Sequence, residues 1–372
     1  MKLTIERSAL LRSLGHVQSV VERRNTIPIL SNVQLVAEAG ALALTATDLD
    51  LAIVEQVPAQ VARPGGTTAP AHTLYDIVRK LPDGCQIELS SSADNGRLTV
   101  KTGASEFSLA CLPREDFPVM NEGELPHVFH LACRDLRRLV EKTRFAISSE
   151  ETRYYLNGIY LHAKSLAEGN VLRAVATDGH RLARVEMPLP EGAAGMPGVI
   201  VPRKTVNETF KLMEGSEGAV ELALSDSKIR FTFDSIVLTS RLIEGTFPDY
   251  ERVIPTDNDK QVEVDRRVFA EAVDRVSTIS QEKSRAVKLA LTKDRMVLSV
   301  NSPDSGSATE EVAVGYDGGQ LEVGFNSRYL LDIAAEIDGE NAQILLADAA
   351  SPTLIRDVSD ASALYVLMPM RV

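Results

Sequence analysis

The chain has 372 residues, a net charge of −12 and three widely spaced cysteines, Cys85, Cys111 and Cys133. A chain of this length holds roughly two to four domains, and the scattered cysteines do not support a disulfide framework or a CxxC metal site. No apolar run reaches about 18 residues, and no signal peptide opens the chain. We therefore expect a cytoplasmic protein with no membrane span.

Strands and helices alternate along the chain. Short alternating segments predict strands at 2–6, 128–131, 199–202, 261–264 and 321–325, and further strands at 228–233 and 295–300. Apolar residues recurring every three or four positions predict amphipathic helices at 7–24, 71–80, 133–145, 202–213, 266–285 and 326–338. This order predicts six strand-helix-strands units and an α+β fold.

Weak internal repeats group these units. Thr47-Asp48 recurs as Thr177-Asp178, and Phe117-Pro118 recurs as Phe247-Pro248, both at an offset of 130 residues. Three amphipathic runs end on an acid and a glycine, and the glycines, each predicted to cap a helix with a positive φ, are Gly84, Gly215 and Gly339. The repeats predict three similar domains, 1–123, 126–254 and 258–372, joined by polar linkers near 122–126 and 255–259.

Charge is distributed unevenly over the predicted elements. The six helices hold 20 Lys/Arg and 11 Asp/Glu, whereas the rest of the chain holds 20 and 41. The clearest case is the third helix, which carries Arg134, Arg137, Arg138, Lys142 and Arg144. One such helix is usually a solvated face, but the bias recurs in most of the six, the last excepted. If the helices share one side, that side attracts phosphates without sequence preference, so a negative net charge does not exclude nucleic acid.

The kind of nucleic acid follows from the aromatic content. The chain has no Trp and only 5% aromatic residues. Single-strand binding proteins stack bases on aromatic side chains. Duplex DNA is therefore the better prediction.

Motifs for catalysis are largely missing from the sequence. It contains no P-loop, no GxGxxG after a strand, no GxSxG and no HExxH. His127 and His130 form an HxxH pair without a third ligand nearby, so we expect no metal and no cofactor. Asp178 beside His180 could orient a general base, but no nucleophile accompanies them and Asp48 occupies the repeated position without a histidine. A tight turn carrying a polar contact loop is the preferred interpretation.

The C-terminal segment 365–372 is apolar and rich in methionine. Two interpretations stay open, a buried last strand and the wall of a groove that accepts an apolar peptide.

Five segments carry a family resemblance that runs end to end: Arg153-Tyr154-Tyr155-Leu156-Asn157-Gly158, Ala176–Ala183, Val199–Lys204, Phe247-Pro248-Asp249-Tyr250 and Met368-Pro369-Met370-Arg371. Together they resemble the bacterial DNA polymerase III β subunit family, the β sliding clamps. It implies a non-catalytic processivity factor built as a head-to-tail dimer of three-domain subunits. Twelve helices would line the hole, with six sheets outside, and the ring would encircle and slide on duplex DNA.

The resemblance also implies two sets of site residues. A peptide pocket between the second and third domains would receive short apolar motifs of the replicative polymerase α subunit, the clamp loader, translesion polymerases and mismatch-repair proteins. Its residues are Leu156, Thr177, Gly179, His180, Arg181, Leu182, Pro248, Arg252, Val253, Asn326, Tyr329, Ala350, Pro352, Val366, Leu367, Met368, Pro369, Met370 and Arg371. Ala350 and Pro352 stand where valine and serine can occur in the family.

The implied DNA contacts are Arg24, His72, Glu150, Tyr154 and Tyr155. His72 and Glu150 stand where an arginine and a neutral residue can occur. We add Arg203 and Lys204 on charge alone, since they begin a basic helix. Two alternatives stay open, a repeated-domain scaffold that binds only protein and does not encircle DNA, and a metal-assisted hydrolase that uses Asp178 and His180.

Overall fold

All six predicted helices are found, and each begins within one residue of its predicted start. The protein is described by a computed structural model that covers residues 1–92, 96–121, 123–280, 285–303 and 305–371. Within these residues the α-helices are α1 (Arg7–Gln18), α2 (Ala71–Lys80), α3 (Cys133–Arg144), α4 (Arg203–Leu212), α5 (Arg266–Ser277) and α6 (Ser327–Ala335). Glu122, at the start of the first predicted linker, lies outside the described residues.

Two helices, α1 and α5, end six and eight residues before the end that the apolar periodicity predicts, and α6 ends three residues before it. The hydroxyl of Ser19 donates to the carbonyl of His16 (2.7 Å) at the end of α1. At the end of α5, Ser277 and Thr278 both donate to the carbonyl of Asp274 (3.0 and 3.3 Å). Such side chains compete for the carbonyls that would continue a helix. Residues 281–284 of the predicted fifth helix lie outside the described residues.

The three predicted capping glycines differ in role. Gly84 and Gly215 have positive φ (72° and 73°), in turns that follow α2 and α4. Gly339 does not, so the prediction of a positive φ there is wrong. Its N–H donates to Asp357 (2.7 Å), and a Cβ at this position would lie 2.5 Å from the same carboxylate. Glycine is therefore required at position 339, because the backbone lies too close to the Asp357 carboxylate to leave room for a Cβ.

The strands fall into three consecutive sets. The first set is β1 (Lys2–Glu6), β2 (Asn32–Glu38), β3 (Ala41–Thr47), β4 (Leu51–Pro58), β5 (Gln60–Arg63), β6 (Gly65–Pro70), β7 (Gln86–Ser92), β8 (Arg97–Thr102) and β9 (Ser105–Ala110). The second is β10 (His127–Ala132), β11 (Gly158–Leu166), β12 (Gly169–Thr177), β13 (Arg181–Pro188), β14 (Val199–Pro202), β15 (Ala219–Leu224), β16 (Lys228–Phe233) and β17 (Ile236–Arg241). The third is β18 (Lys260–Asp265), β19 (Ala286–Thr292), β20 (Arg295–Ser302), β21 (Gly306–Ala313), β22 (Leu321–Asn326), β23 (Asn341–Leu346), β24 (Thr353–Asp357) and β25 (Ala363–Leu367).

Contacts group the chain into two compact units. Unit 1 comprises Met1–Leu136, Pro190–Pro197 and Lys204–Leu242. It holds sheet A, in the order β5-β1-β7-β8-β9, and sheet B, in the order β10-β15-β16-β17-β4-β3-β2-β6. Helix α1 packs on α2 and on β3 and β4. Alternate residues of β3, Leu42, Leu44 and Ala46, are fully buried, as expected for strands with one covered face.

Unit 2 comprises Arg137–Leu189, Gly198–Arg203 and Ile243–Val372. It holds sheet C, in the order β14-β11-β12-β13-β25-β24-β23-β18, and sheet D, in the order β21-β20-β19-β22. Helix α5 packs on α6 and on β18 to β21. Every strand pair in both units is antiparallel.

The sheets explain why two units form from a sequence that repeats three times. In sheet B, β17 of the second strand set pairs with β4 of the first, with Leu238 opposite Ile53. In sheet C, β25 of the third set pairs with β13 of the second, with Tyr365 opposite Ala183. Each eight-stranded sheet therefore joins strands from two neighbouring sets. No described helix is long and apolar enough to cross a membrane.

Candidate functional site: a peptide-sized cavity in unit 2

A cavity of about 250 Å³ opens on the surface of unit 2. Its lining includes ten of the residues predicted for the peptide pocket: Leu156, Thr177, Gly179, His180, Arg181, Leu182, Pro248, Val253, Val366 and Met368. It also includes Arg153, Tyr155, Asp249 and Tyr250. Apolar side chains dominate the wall, with a few polar groups at its edge, which is the usual character of a site for an apolar ligand.

The turn between β12 and β13 forms one side of the cavity. Thr177 Oγ1 donates to the carbonyl of Arg181 (2.7 Å) and accepts from the N–H of Gly179 (3.1 Å). Asp178 Oδ1 accepts from the N–H groups of His180 (2.9 Å) and Arg181 (3.0 Å). Gly179 has φ +89°, a conformation that glycine adopts without strain, and a Cβ there would lie 2.6 Å from Arg153 Nη1.

The first repeat builds the same turn, which confirms the predicted 130-residue offset. Thr47 Oγ1 donates to the carbonyl of Leu51 (2.9 Å), and Asp48 Oδ1 accepts from the N–H groups of Asp50 and Leu51 (3.0 and 2.7 Å). The Thr-Asp pair is therefore a turn motif. Because the carboxylate of Asp178 is bonded to backbone N–H groups and to Arg181, it does not orient the imidazole of His180 as a general base would require.

Arg181 is nearly buried, at 9% exposure, and all three of its guanidinium nitrogens have partners. They donate to Asp178 (3.1 Å), to Asp332 of α6 (2.6 Å) and to the carbonyl of Phe145 after α3 (2.6 Å). The guanidinium carbon lies 4.3 Å from the ring centroid of Tyr329 and 5.0 Å from that of Phe145. Arg181 thus fixes the turn against α6 and is not a free cation at the cavity.

The opposite wall comes from the segment Pro248–Val253, which includes the 3₁₀ helix Tyr250–Val253. The Tyr250 hydroxyl is buried, accepts from Arg173 (3.1 Å) and contacts His162 Nε2 (3.0 Å). His162 Nδ1 donates to the carbonyl of Ala163 (3.1 Å). Burial lowers the pKa of His162, so its neutral ring accepts the Tyr250 proton at Nε2. Arg173 also binds Glu251 (2.7 Å), which ties the 3₁₀ helix to β12.

The C-terminal segment confirms the buried last strand, and it also lines the cavity, which is compatible with the predicted groove wall. β25 is a strand of sheet C, and after it Met368 is 39% exposed and lines the cavity together with Val366. Leu367 is a correction to the predicted pocket. Its side chain is fully buried, because successive residues of an extended strand face opposite sides.

The remaining predicted pocket residues lie outside the cavity. Ala350, Met370 and Arg371 line a second, larger groove on unit 2, of about 880 Å³. Asn326 caps α6 by accepting the N–H of Arg328 (3.0 Å), and Tyr329 stacks between Arg181 and His180. Arg252 pairs with Asp249 (2.7 Å). Pro352 accepts at its carbonyl from Asn258 (3.0 Å), and Pro369 is half-buried.

Four cavity residues were missing from the predicted pocket, Arg153, Tyr155, Asp249 and Tyr250, and of these Tyr155 was predicted only as a DNA contact. All four belong to segments that carry the family resemblance, 153–158 and 247–250, so the sequence held the signal. What it did not show is which side chains of those segments face the cavity.

The predicted DNA contacts differ in accessibility. In unit 1, Arg24 is exposed, and His72 is half-buried and donates through Nε2 to the carbonyl of Val21 (2.9 Å). Lys204 pairs with Asp48 (2.7 Å) and Glu22 and donates to the carbonyl of Val20 (3.0 Å). Burial opposes its charge, but the hydrogen bonds that its ammonium donates to the carboxylates of Asp48 and Glu22 outweigh burial and raise the pKa of Lys204. Its ammonium is charged, but it is already paired with the carboxylates of Asp48 and Glu22.

The other contacts lie in unit 2. Arg203 is exposed, and Tyr154 is 55% exposed. Glu150 accepts from Arg153 at 2.8 and 3.2 Å, which neutralises a carboxylate that would repel phosphate. Tyr155 lies with its ring 5.8 Å from that of Tyr154 and lines the peptide cavity.

The charge count over the helices overstates the positive charge that α3 offers. Arg138 binds Asp360 and Ser362, and Lys142, almost fully buried, pairs with Asp338 (2.9 Å). Arg134, by contrast, has a side chain that is 88% exposed. A sequence count cannot separate these cases because the acidic partners lie about two hundred residues away.

The histidine pair in β10 gives no metal site. His127 and His130 are three positions apart on a strand, so their side chains face opposite sides of sheet B. His130 Nε2 lies 3.6 Å from Glu221. Among the described residues, no group of three or more His, Cys, Asp and Glu side chains is placed to hold a metal ion.

Comparison with known proteins agrees with this geometry along the whole chain. Residues 1–121, 130–249 and 251–371 match the N-terminal, central and C-terminal domains of the DNA polymerase III beta subunit. The beta sliding clamp of Caulobacter vibrioides is 57% identical over 372 residues, with complete coverage of both chains.

Solved structures agree as well. A Caulobacter crescentus beta sliding clamp crystallised with bound PEG has a TM-score of 0.98 at 57% identity, covering 100% of this chain and 99% of that one. A Bartonella birtlesii sliding clamp bound to griselimycin has a TM-score of 0.97 at 52% identity, with full coverage of both chains. The chain therefore belongs to the DNA polymerase III beta subunit family, the bacterial beta sliding clamps.

Proposed function

We propose that two copies of this chain close head to tail into a ring that encircles duplex DNA, slides along it without sequence preference and tethers the replicative polymerase. The chain makes and breaks no bond. A closed ring cannot leave the duplex sideways, so weak, screened attraction to phosphates is sufficient for retention and permits sliding. Tethering raises the effective concentration of the polymerase at the primer end.

The order of strands in the sheets carries this proposal. β9, β17 and β25 are equivalent, since each follows its neighbours in the same order at the end of a four-stranded series: β1-β7-β8-β9, β10-β15-β16-β17 and β18-β23-β24-β25. β4, β13 and β21 are equivalent in the same way: β6-β2-β3-β4, β14-β11-β12-β13 and β22-β19-β20-β21. Within the chain β17 pairs with β4, and β25 pairs with β13.

One strand of each kind is left at a sheet edge, β9 in sheet A and β21 in sheet D. Unpaired edges present free N–H and C=O groups and are templates for another strand. If β9 of one protomer pairs with β21 of its partner, a third strand junction forms between the protomers. It is equivalent to the β17–β4 and β25–β13 junctions within the chain. Because each protomer has one edge of each kind, a heterologous contact of this type can close at two copies.

Retention on DNA of defined topology tests the proposed function. We expect protein loaded onto nicked circular DNA by a clamp loader to remain bound through gel filtration and to be lost when a restriction enzyme linearises the circle. A matched circle lacking the restriction site should keep its protein after the same treatment. Retention that is equal on circles and linear fragments would favour the scaffold alternative instead.

The cavity of unit 2 is proposed as the shared site for partner proteins. Short apolar motifs of the polymerase α subunit, the clamp loader, translesion polymerases and mismatch-repair proteins would insert there. Because these partners act on chromosomal DNA, the proposed location of the protein is the cytoplasm. Support comes from the apolar wall and from Met368, since methionine side chains adapt to varied ligands.

Griselimycin, which is bound in crystal structures of the Bartonella birtlesii and Pseudomonas aeruginosa relatives, provides a defined probe. We expect it to bind this chain, and we expect Val253→Asp to weaken binding at least about tenfold, because a carboxylate would be desolvated against an apolar ligand. Isothermal titration calorimetry measures the effect.

Val358→Asp is the matched control for this measurement. Val253 and Val358 are exposed to similar extents, 46% and 51%, but only Val253 lines the cavity. Equal affinities of the two variants would place the griselimycin site elsewhere and remove this support for the cavity.

A further inference from the structure

The second groove of unit 2 shares a wall with the peptide cavity. Val366 and Met368 line the cavity, and Met370 and Arg371 line the groove. The N–H of Met370 donates to the carbonyl of Gly324 (2.9 Å), which fixes this end of the chain against β22. Four residues of extended chain span about 13 Å. A ligand of ordinary peptide length can therefore pass from the cavity into the groove.

The floor of the groove is a row of residues that crosses sheet D. Strand register places Gly324 of β22 opposite Lys288 of β19, Lys288 opposite Ser299 of β20, and Ser299 opposite Thr309 of β21. Asn301 and Ser307 form the next pair along β20 and β21. Neighbouring strands lie about 4.8 Å apart, so the row offers hydrogen-bonding side chains from Lys288 to Thr309, over about 10 Å.

Charge in the groove is net positive, against the −12 of the whole chain. Lys288 and Arg371 line it, with Glu322 as the acidic member. Lys288 and Glu322 lie 3.1 Å apart and are both well exposed, so a competing carboxylate can reach the lysine. Pairing of β21 at its edge, as the ring requires, leaves the face of sheet D open.

We propose that this groove binds the acidic, hydroxyl-rich segment that directly flanks the apolar motif of a partner polypeptide. The proposal rests on the proposed peptide cavity and adds a second contact region to it. The apolar motif anchors the partner in the cavity, and its flank crosses sheet D in extended form. Carboxylates of the flank meet Lys288 and Arg371, and its polar groups meet Ser299, Asn301 and Thr309.

The test uses peptides built on one core. The core is a hexapeptide selected from a random library on the wild-type chain and retained only if it loses binding to Val253→Asp. Four-residue flanks, Ser-Asp-Ser-Asp or Ser-Lys-Ser-Lys, are added at either end, and affinities are measured by fluorescence anisotropy. We expect an acidic flank at one end to strengthen binding about fivefold to tenfold, as two exposed ion pairs would. The gain should shrink as salt is raised.

Two charge-reversal variants separate a local contact from long-range attraction. Lys288→Glu should abolish the preference for the acidic flank. Lys293→Glu changes the net charge equally at an exposed position on the β19–β20 turn of the same sheet, outside the groove, and should keep the preference. Asn301→Trp should block the flank while leaving the affinity of the bare core unchanged.

Failure of the groove proposal can be distinguished from failure of the proposed peptide cavity. If neither flank changes the affinity, or if both charge reversals remove the preference equally, the groove proposal is wrong and the cavity stands. If no core peptide depends on Val253, the proposed cavity fails and the groove proposal fails with it.

Discussion

Thr309→Pro in β21, and equally Ser108→Pro in β9, should convert the dimer into monomers and abolish retention on circular DNA. Both residues are exposed on the sheet edges that no other strand of the described chain covers. Proline has no N–H and cannot pair within a strand ladder, so it removes an intermolecular hydrogen bond or distorts the edge.

The expected loss of dimer stability follows from the number of interfaces in the ring. Losing or distorting a ladder bond costs about 1–3 kcal/mol, and a closed dimer contains two copies of the interface. The loss is therefore about 2–6 kcal/mol, or roughly 30-fold to 10⁴-fold in the dimer dissociation constant. Sedimentation equilibrium over a concentration series measures it directly.

Ala62→Pro is the matched control for the edge variants. Ala62 is exposed in β5, the strand at the other edge of sheet A, which has no equivalent among the paired junctions. This variant should remain dimeric and be retained on circles. A monomeric Ala62→Pro variant, or dimeric Thr309→Pro and Ser108→Pro variants, would show that β9 and β21 do not form the interface.

Arg181→Leu should destabilise unit 2 by about 2–4 kcal/mol and abolish ligand binding in the peptide cavity. The substitution leaves the carboxylates of Asp178 and Asp332 without their shared cation and the carbonyl of Phe145 without its donor. Removing one partner of a buried ion pair leaves an uncompensated charge, which costs more than the pair itself contributes. Hydrogen exchange of amides in β13 and α6 reports the local loss.

Arg181→Lys and His180→Ala separate the effect on the stability of unit 2 from the effect on ligand binding in the cavity. Lysine keeps the charge but not the planar fork that reaches three acceptors, so it should recover only part of the stability. His180 is exposed and lines the cavity, so His180→Ala should weaken griselimycin binding with a change in stability within about 0.5 kcal/mol. It should leave retention on circular DNA intact. Unchanged hydrogen exchange in Arg181→Leu would show that the arginine does not hold the turn to α6.

The sequence by itself determined the local structure. Periodicity predicted the six helices and the strands before five of them, and the offset of 130 residues identified equivalent turns at Thr47-Asp48 and Thr177-Asp178. These features depend on residues a few positions apart, so a short stretch of sequence contains their cause. The family resemblance, carried by motifs of this kind, supplied the expectation of a clamp.

Only the tertiary structure decided which side chains work together. Arg153 meets Gly179, Arg181 meets Asp332, and Lys142 is held by Asp338, in pairs that are distant in sequence. Strand alternation buried Leu367 and exposed Met368 at the cavity. The edges β9 and β21 are likewise left unpaired by the way in which the other strands pair in all four sheets. Such contacts depend on the register and packing of separate elements, and no local pattern in the sequence encodes either one.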